Sequence, residues 1–269
     1  LSIVLPKSRI VPSIACGGLN TVGIRIPAHP IAQLLIKSAG VPIAAPSANR
    51  SLYVSPTTAQ HVHECLGSMV NMVVDGGTCE HGLESTIISL ATPVPTILRY
   101  GAITLEQLRT VIPSLAEPPR KLISTGDHAI LPSPGNMPVH YSPMTPICLI
   151  DQLQLVIDYL DSRSRSHRRV GRIYLSEAGR SLDKDIAMKF LVSSRLSETG
   201  DLMTVAHSLY ETLRTFDKME LDLIVIDSCE EIGLGISIMD RLRRASARLF
   251  ESGIPTGGRE RTSLLVARL

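Results

Sequence analysis

The side chains best suited to chemistry in this sequence lie in its first 110 residues, beside glycines and at the ends of apolar runs. Arg25 stands near the close of the β-rich run 21–26. Ser47, Asn49, Arg50 and Ser55 crowd one loop after Ile43-Ala44-Ala45-Pro46. Glu84-Ser85-Thr86 follow Gly82, and Arg99 precedes Gly101. Arginines and hydroxyls in such positions suit a phosphate or a carboxylate, because a guanidinium fork grips two oxygens of an oxyanion at once. Ser55 as a helix N-cap, with Pro56 in the first turn, would add backbone N–H donors and the positive end of a helix dipole. The same small polar residues also serve as turn formers and caps. The residues alone therefore leave an anion site and a plain turn equally open.

Other groupings carry less. No Walker loop and no G-x-G-x-x-G occurs, so a bound nucleotide would not use those cradles. No serine sits in G-x-S-x-G and no Cys–His pairing is evident, so covalent catalysis is not supported and no catalytic nucleophile is assigned. Cys79-Glu80-His81 with Glu84 matches no standard zinc spacing and reads as a turn; no metal ligand is assigned. His61 and His63, two apart on a helix, face different ways and read as surface residues. His140-Tyr141-Ser142-Pro143 could be a lid with Tyr141 stacking on a ligand, or a packing anchor. Arg241, Arg243, Arg244 and Arg248 share a helix with Asp240 and Glu251, which reads as a solvated face rather than an RNA site.

The elements that must position these groups follow from the pattern of apolar residues and punctuation. Strands are expected at 1–5, 21–26, 41–45, 69–74, 85–90 and 95–99. Helices are expected at 31–39, stopped by Gly40, and from Ser55 to Leu66, stopped by Gly67. Asp75-Gly76-Gly77 is a strong turn, and Thr104-Leu105-Glu106-Gln107 a capping box that opens a short helix. Eight of the 18 prolines fall between Pro113 and Pro146, which reads as a linker. Beyond it, strands at 146–150, 172–175 and 221–227 alternate with helices at 153–160 and 201–216 and after Gly235. That alternation predicts a small parallel α/β domain. The division expected is 1–112, a linker 113–145, and 146–269.

Composition sets the outer limits. The 269 residues are 44% hydrophobic and 19% charged, ordinary for a globular chain with ample core. Aromatics are scarce at 3% with no Trp, so the core must come from Ile, Leu, Val and Ala. A net charge of +2 makes no general case for nucleic acid. No apolar run is long enough for a transmembrane helix and no signal peptide is evident. Five scattered cysteines without a C-x-x-C pair argue for reduced thiols and a cytoplasmic setting.

Several motifs, in order, resemble the signature of the threonylcarbamoyl-AMP synthase family, the YrdC-like proteins. They are 41–51 (VPIAAPSANRS), Ser55-Pro56-Thr57-Thr58, Asp75-Gly76-Gly77, Gly82-Leu83-Glu84-Ser85-Thr86, Ile97-Leu98-Arg99 and Gly101-Ala102-Ile103-Thr104. His140-Tyr141-Ser142-Pro143, Gly233-Leu234-Gly235 and Asp240-Arg241-Leu242 resemble the linker and the extra C-terminal domain of the family's long form. The resemblance implies a YrdC-like twisted open sheet followed by a smaller Rossmann-like parallel α/β domain. It also implies a nucleotidyltransferase that condenses L-threonine, bicarbonate and ATP to threonylcarbamoyl-AMP and pyrophosphate. The product would feed the machinery that makes N6-threonylcarbamoyladenosine in tRNA.

By that resemblance Thr21, Ser47, Ser55, Arg99 and Tyr141 would contact ATP, with Mg2+ accompanying the triphosphate. Arg25, the backbone at Ala45, and Ser85 would hold threonine or its carbamate. A segment preceding Leu1, with further threonine-pocket and basic groups, is expected from the family pattern. Leu52-Tyr53-Val54 depart from that pattern, replacing a stretch that usually holds Gly and a basic residue. The competing expectations are a non-catalytic module with weak RNA contact, and an inactive truncated remnant.

Overall fold

The computed structural model describes residues 1–118, 140–153, 169–179 and 190–251, the last four by backbone alone. Two compact units emerge among them. Leu1–Arg50 and 55–118 make the first; Ser51–Val54 and 140–251 make the second.

The first unit is built on a mixed sheet in the order β2-β1-β3-β4. Strand β1 (Ser2–Pro6) runs antiparallel to β2 (Thr21–Ile24) and parallel to β3 (Ile87–Ser89), which is antiparallel to β4 (Thr96–Arg99). Ile3 faces Ile24, Ser2 faces Ile87, and Ile87 faces Arg99. The starts of β1 and β3 and the ends of β2 and β4 therefore share one edge. Helix α3 (Leu105–Arg109) opens at the expected capping box: Thr104 accepts from the Gln107 amide and the Gln107 side chain accepts from the Thr104 amide. Its Leu105 and Leu108 pack with Ile88, Ile97 and Leu115 into the core. Each such side chain contributes about 1.5–3 kcal/mol on full burial. The segment after Pro113 thus begins inside this core, with Ala116 bridged to Thr96 beside β4.

Helix α1 (Pro30–Ala39) ends as expected at Gly40, whose left-handed φ of 66° suits a residue without Cβ. None of its residues is buried. The expected strands at 41–45 and 69–74 are not formed. Gly67–Met69 is a 3-10 turn, and 41–45 and 70–74 are without regular structure, with Val41 61% and Met72 79% exposed. An apolar run becomes a strand only where a neighbouring edge can take its N–H and C=O groups, and these runs join no ladder among the described residues.

The helix predicted from Ser55 starts later, as α2 (Ala59–Leu66). Its N-cap is Thr58, in extended conformation, whose hydroxyl accepts from the His61 amide at 3.2 Å. His61, expected at the surface, is only 4% exposed; its Nδ1 accepts from the Thr57 amide at 3.2 Å. A histidine whose ring satisfies a local backbone donor can be buried at little cost. His63 is exposed.

The second unit carries a parallel sheet in the order β5-β8-β6-β7. Its strands are β5 (Ile147–Leu149), β6 (Val170–Tyr174), β7 (Val192–Arg195) and β8 (Leu223–Ile226). Strand β7 was not anticipated, since Ser193 and Ser194 dilute its apolar signal. The near-continuous burial of β5, β6 and β8 is what a parallel sheet covered on both faces requires. Helix α4 (Leu202–Asp217) buries Val205, Leu209, Leu213 and Phe216. Its N-cap Asp201 accepts from the Thr204 amide at 2.9 Å and the Thr204 hydroxyl at 2.7 Å, and these bonds hold the carboxyl below its ordinary pKa. The expected helix at 153–160 lies outside the described residues beyond Leu153.

Helix α5 (Leu234–Glu251) corrects the reading of a wholly solvated basic face. Arg241 is 1% exposed, bonded to Asp240 at 2.9 Å and stacked 5.2 Å from the Tyr141 ring. Arg244 also reaches Asp240 at 2.9 Å, and Arg243 pairs with Glu231. The face turned inward could be apolar in stem and charged at the tip, which helical spacing alone does not distinguish. No helix among the described residues is long and apolar enough to cross a membrane.

Candidate functional site

The shared edge of the first sheet gathers the polar groups. Arg25 follows β2, Ser2 begins β1, Ser85 precedes β3 and Arg99 ends β4. Arg25 Nη1 and Arg99 Nη2 each donate to the Ser85 hydroxyl at 3.3 Å. Arg99 also grips the Ser85 carbonyl through Nε at 3.1 Å and Nη2 at 2.8 Å. The Ser85 and Ser2 hydroxyls are 2.9 Å apart. A hydroxyl has two acceptor lone pairs and one proton. In the Ser2–Ser85 contact either hydroxyl can donate.

Two cations meeting on one neutral oxygen repel each other, and each leg is only 3.3 Å long. An anion between them would relieve that repulsion and replace long contacts with short charge-assisted ones. Gly101 allows the close approach behind this cluster: a Cβ there would run into the backbone of Glu84, Ser85 and Thr86. The Thr86 hydroxyl ties the same strand to the next loop, donating to the Ile103 carbonyl at 2.5 Å and accepting from its amide at 3.1 Å. Ser55 joins the group from the motif loop, donating to Glu84 Oε1 at 2.6 Å. It does so in place of the N-cap role expected of it.

Arg25, Ser85 and Arg99 are thus brought together, with Ser55 joined through Glu84. The remaining candidates are not gathered with them. Thr21 pairs with Pro6 at the opposite end of β2, four residues from Arg25 and so roughly 13 Å away along the strand. Ala45 and Ser47 are exposed in the loop. Arg50 turns to the end of α2, donating to the Cys65 carbonyl at 3.4 Å. Tyr141 belongs to the second unit, 1% exposed, edge-on to His140 at 4.0 Å and stacked with Tyr210 at 6.1 Å.

Ser2 was missed by sequence reasoning. It meets Ser85 across 83 residues only because β1 and β3 pair in parallel, which no local signal carries. No group of three or more His, Cys, Asp or Glu that could hold a metal ion occurs among the described residues. Burial pushes the Cys79 thiol up from its ordinary pKa.

A mixed sheet with an arginine–serine cluster at one edge, followed by a parallel α/β unit, defines a two-part α/β protein. Comparison with known proteins narrows this. Residues 1–101 match a family model described as "Telomere recombination", and residues 103–247 match one described as "Threonylcarbamoyl-AMP synthase, C-terminal domain". The threonylcarbamoyl-AMP synthase of Bacillus subtilis is 36% identical over 248 residues, covering 91% of this chain and 69% of that protein. The enzyme of the same name from Pyrococcus abyssi is 36% identical over 251 residues, covering 91% and 70%. The crystal structure of P. abyssi Sua5 complexed with L-threonine superposes with a TM-score of 0.74 at 34% identity, covering 91% of this chain and 69% of that one. The chain belongs to the threonylcarbamoyl-AMP synthase family.

Proposed function

We propose that this chain binds ATP and L-threonine in its first unit and serves the synthesis of threonylcarbamoyl-AMP. The observation that carries the reading is the convergence of Arg25 and Arg99 on the Ser85 hydroxyl. In this reading the threonine amine and bicarbonate form a carbamate with loss of water. A carbamate oxygen then attacks the α-phosphorus of ATP, and pyrophosphate leaves. Arg25 and Ser85, with the Ala45 backbone, hold the threonine carboxylate and carbamate. Arg99, Ser55, Ser47 and Thr21 serve the nucleotide.

The work assigned to these groups is positioning and charge stabilisation, with no covalent intermediate on the protein. Mg2+ would come with the triphosphate. It is commonly held by phosphate oxygens, water and one or two carboxylates, and Glu84 is the carboxylate beside Ser55 and Ser85 that fits this role. The product would pass to the enzymes that modify tRNA. The five cysteines are unbridged, which supports a cytoplasmic setting. A non-catalytic RNA-binding role would draw on a basic surface of the YrdC-like part, and the net charge of only +2 speaks against it.

The test is pyrophosphate release from ATP with bicarbonate, with and without L-threonine. Threonine-dependent release of one pyrophosphate per threonylcarbamoyl-AMP is expected. Release that ignores threonine, or none although both ligands bind, would overturn the proposed reaction.

A further inference from the structure

The motif Ser55-Pro56-Thr57-Thr58 enters α2 through a cap unlike the capping box at Thr104. Thr58 is the N-cap, and its hydroxyl accepts from the His61 amide at 3.2 Å. His61 is thus the third helical residue, the place from which a Glu or Gln would reach back to the amide of the N-cap itself. The His61 side chain reaches one residue further back. Its Nδ1 accepts from the Thr57 amide at 3.2 Å and lies 3.3 Å from the Thr57 hydroxyl. A ring nitrogen that accepts carries no proton, so the proton of the neutral ring is on Nε2. Thr57 is 3% and His61 4% exposed, so little water competes for these bonds.

Thr57 is held on its other side as well. Its carbonyl accepts from the Cys79 amide at 2.8 Å. Cys79 follows the turn in which the Gly77 amide donates to Asp75 Oδ1 at 2.8 Å. Both backbone groups of Thr57 are therefore tied, the amide to α2 and the carbonyl to the 75–79 loop. Between Thr57 and Ser55 stands only Pro56, whose ring fixes φ at about −65°. Few soft torsions remain between the tied amide and Ser55, whose hydroxyl donates to Glu84 Oε1 at 2.6 Å. All of these groups belong to the first unit.

We infer that His61 is a positioning residue for the ATP site: its Nδ1 latches the Thr57 amide and so sets where Ser55 stands. The inference deepens the proposed function and rests on the role given there to Ser55. Two variants isolate the acceptor. In His61→Asn the amide oxygen can stand where Nδ1 stood. In His61→Gln the extra methylene carries the amide group toward the place of Nε2, away from the Thr57 amide.

The test measures three quantities on the full chain and both variants: hydrogen exchange of the Thr57 amide, and the dissociation constants for ATP and for L-threonine. His61→Asn should stay within about twofold of the parent in all three. In His61→Gln, Thr57 exchange and the ATP dissociation constant should each rise by about fivefold, as loss of one intramolecular hydrogen bond implies. Threonine affinity, assigned to Arg25 and Ser85 at the sheet edge, should hold. Unchanged Thr57 exchange in His61→Gln overturns the latch. Faster exchange with unchanged ATP affinity overturns the positioning role. Equal weakening of both ligands does the same, since a general loosening of the unit would produce it. A His61→Asn variant that folds but loses the Thr57 protection of the parent overturns the assignment to Nδ1, and that arm stands even if His61→Gln does not fold. A parent chain that binds threonine but not ATP overturns the proposed function itself, whereas Thr57 exchange reports on the latch alone, which separates the two failures.

Discussion

Ser85 accepts from two arginines, one just beyond β2 and one at the end of β4, and that is the most informative local fact in the molecule. It turns a scatter of polar residues into one electrostatic site. The two arginines are not equivalent. Arg99 spends two donors on the Ser85 carbonyl, while Arg25 has only the long hydroxyl contact in the described set. On the proposed assignment, Arg99→Ala should raise the ATP dissociation constant by about tenfold or more, and Arg99→Lys should recover little of the loss, because an ammonium lacks the planar fork. Arg25→Ala should instead fall mainly on threonine. Titration calorimetry with each ligand checks both; equal losses of the two ligands in both variants would contradict the division of labour. The sequence offered residues 25, 85 and 99 as candidate oxyanion partners. Their meeting point was not legible there, nor was Ser2, because those contacts run between strands far apart in the chain.

At the scale of elements, the capping signals were the most dependable. Thr104 and Gln107 form the box their spacing predicts, because the four residues contain both reciprocal partners. Ser55 misled because Thr58, three residues on, offers the same hydroxyl, and Glu84 from a distant loop claims Ser55 instead. Asp201 gives a pH-dependent prediction. Its folded pKa is lowered by hydrogen bonds from Thr204, so the folded state binds that proton less readily than the unfolded chain. Its contribution is therefore present above the ordinary aspartate range and fades as pH falls through the lowered folded value. Asp201→Ala should lower the unfolding midpoint of α4's unit at neutral pH, and the gap from the parent should shrink in acid. A gap that is constant from pH 7 to pH 2 would show that the carboxylate charge plays no part.

At the scale of the whole molecule, each unit carries its own sheet and core, and the second contains an ion pair with almost no solvent. Arg172 is wholly buried on β6 and paired with Asp227 just beyond β8. Asp227 also accepts from the Leu175 amide at 3.0 Å, and the guanidinium lies 4.5 Å from the Tyr174 ring centroid. Removing one partner would leave a buried charge unpaired, which costs about 3–5 kcal/mol, whereas replacing both with apolar residues of similar volume is often neutral or stabilising. Asp227→Leu should therefore destabilise the second unit strongly, and Arg172→Met with Asp227→Leu should recover most of the loss. Chemical denaturation followed in that unit would expose an additive double variant, which would rule out this account of the pair.

The sequence by itself determined the α/β class, the helix stops at glycine, the capping box at Thr104 and the family-like order of motifs. These depend on residues within a few positions of one another, where backbone geometry and side-chain reach are set locally. Tertiary structure alone decided which apolar runs became strands: 147–149 and 223–226 found parallel neighbours, while 41–45 and 70–74 join no ladder among the described residues. It also decided that Arg241 is buried, that Ser55 serves Glu84, and that Arg25 and Arg99 share one oxygen. Strand pairing and buried charge are settled by partners from elsewhere in the chain, and their energies arise only when those partners arrive together.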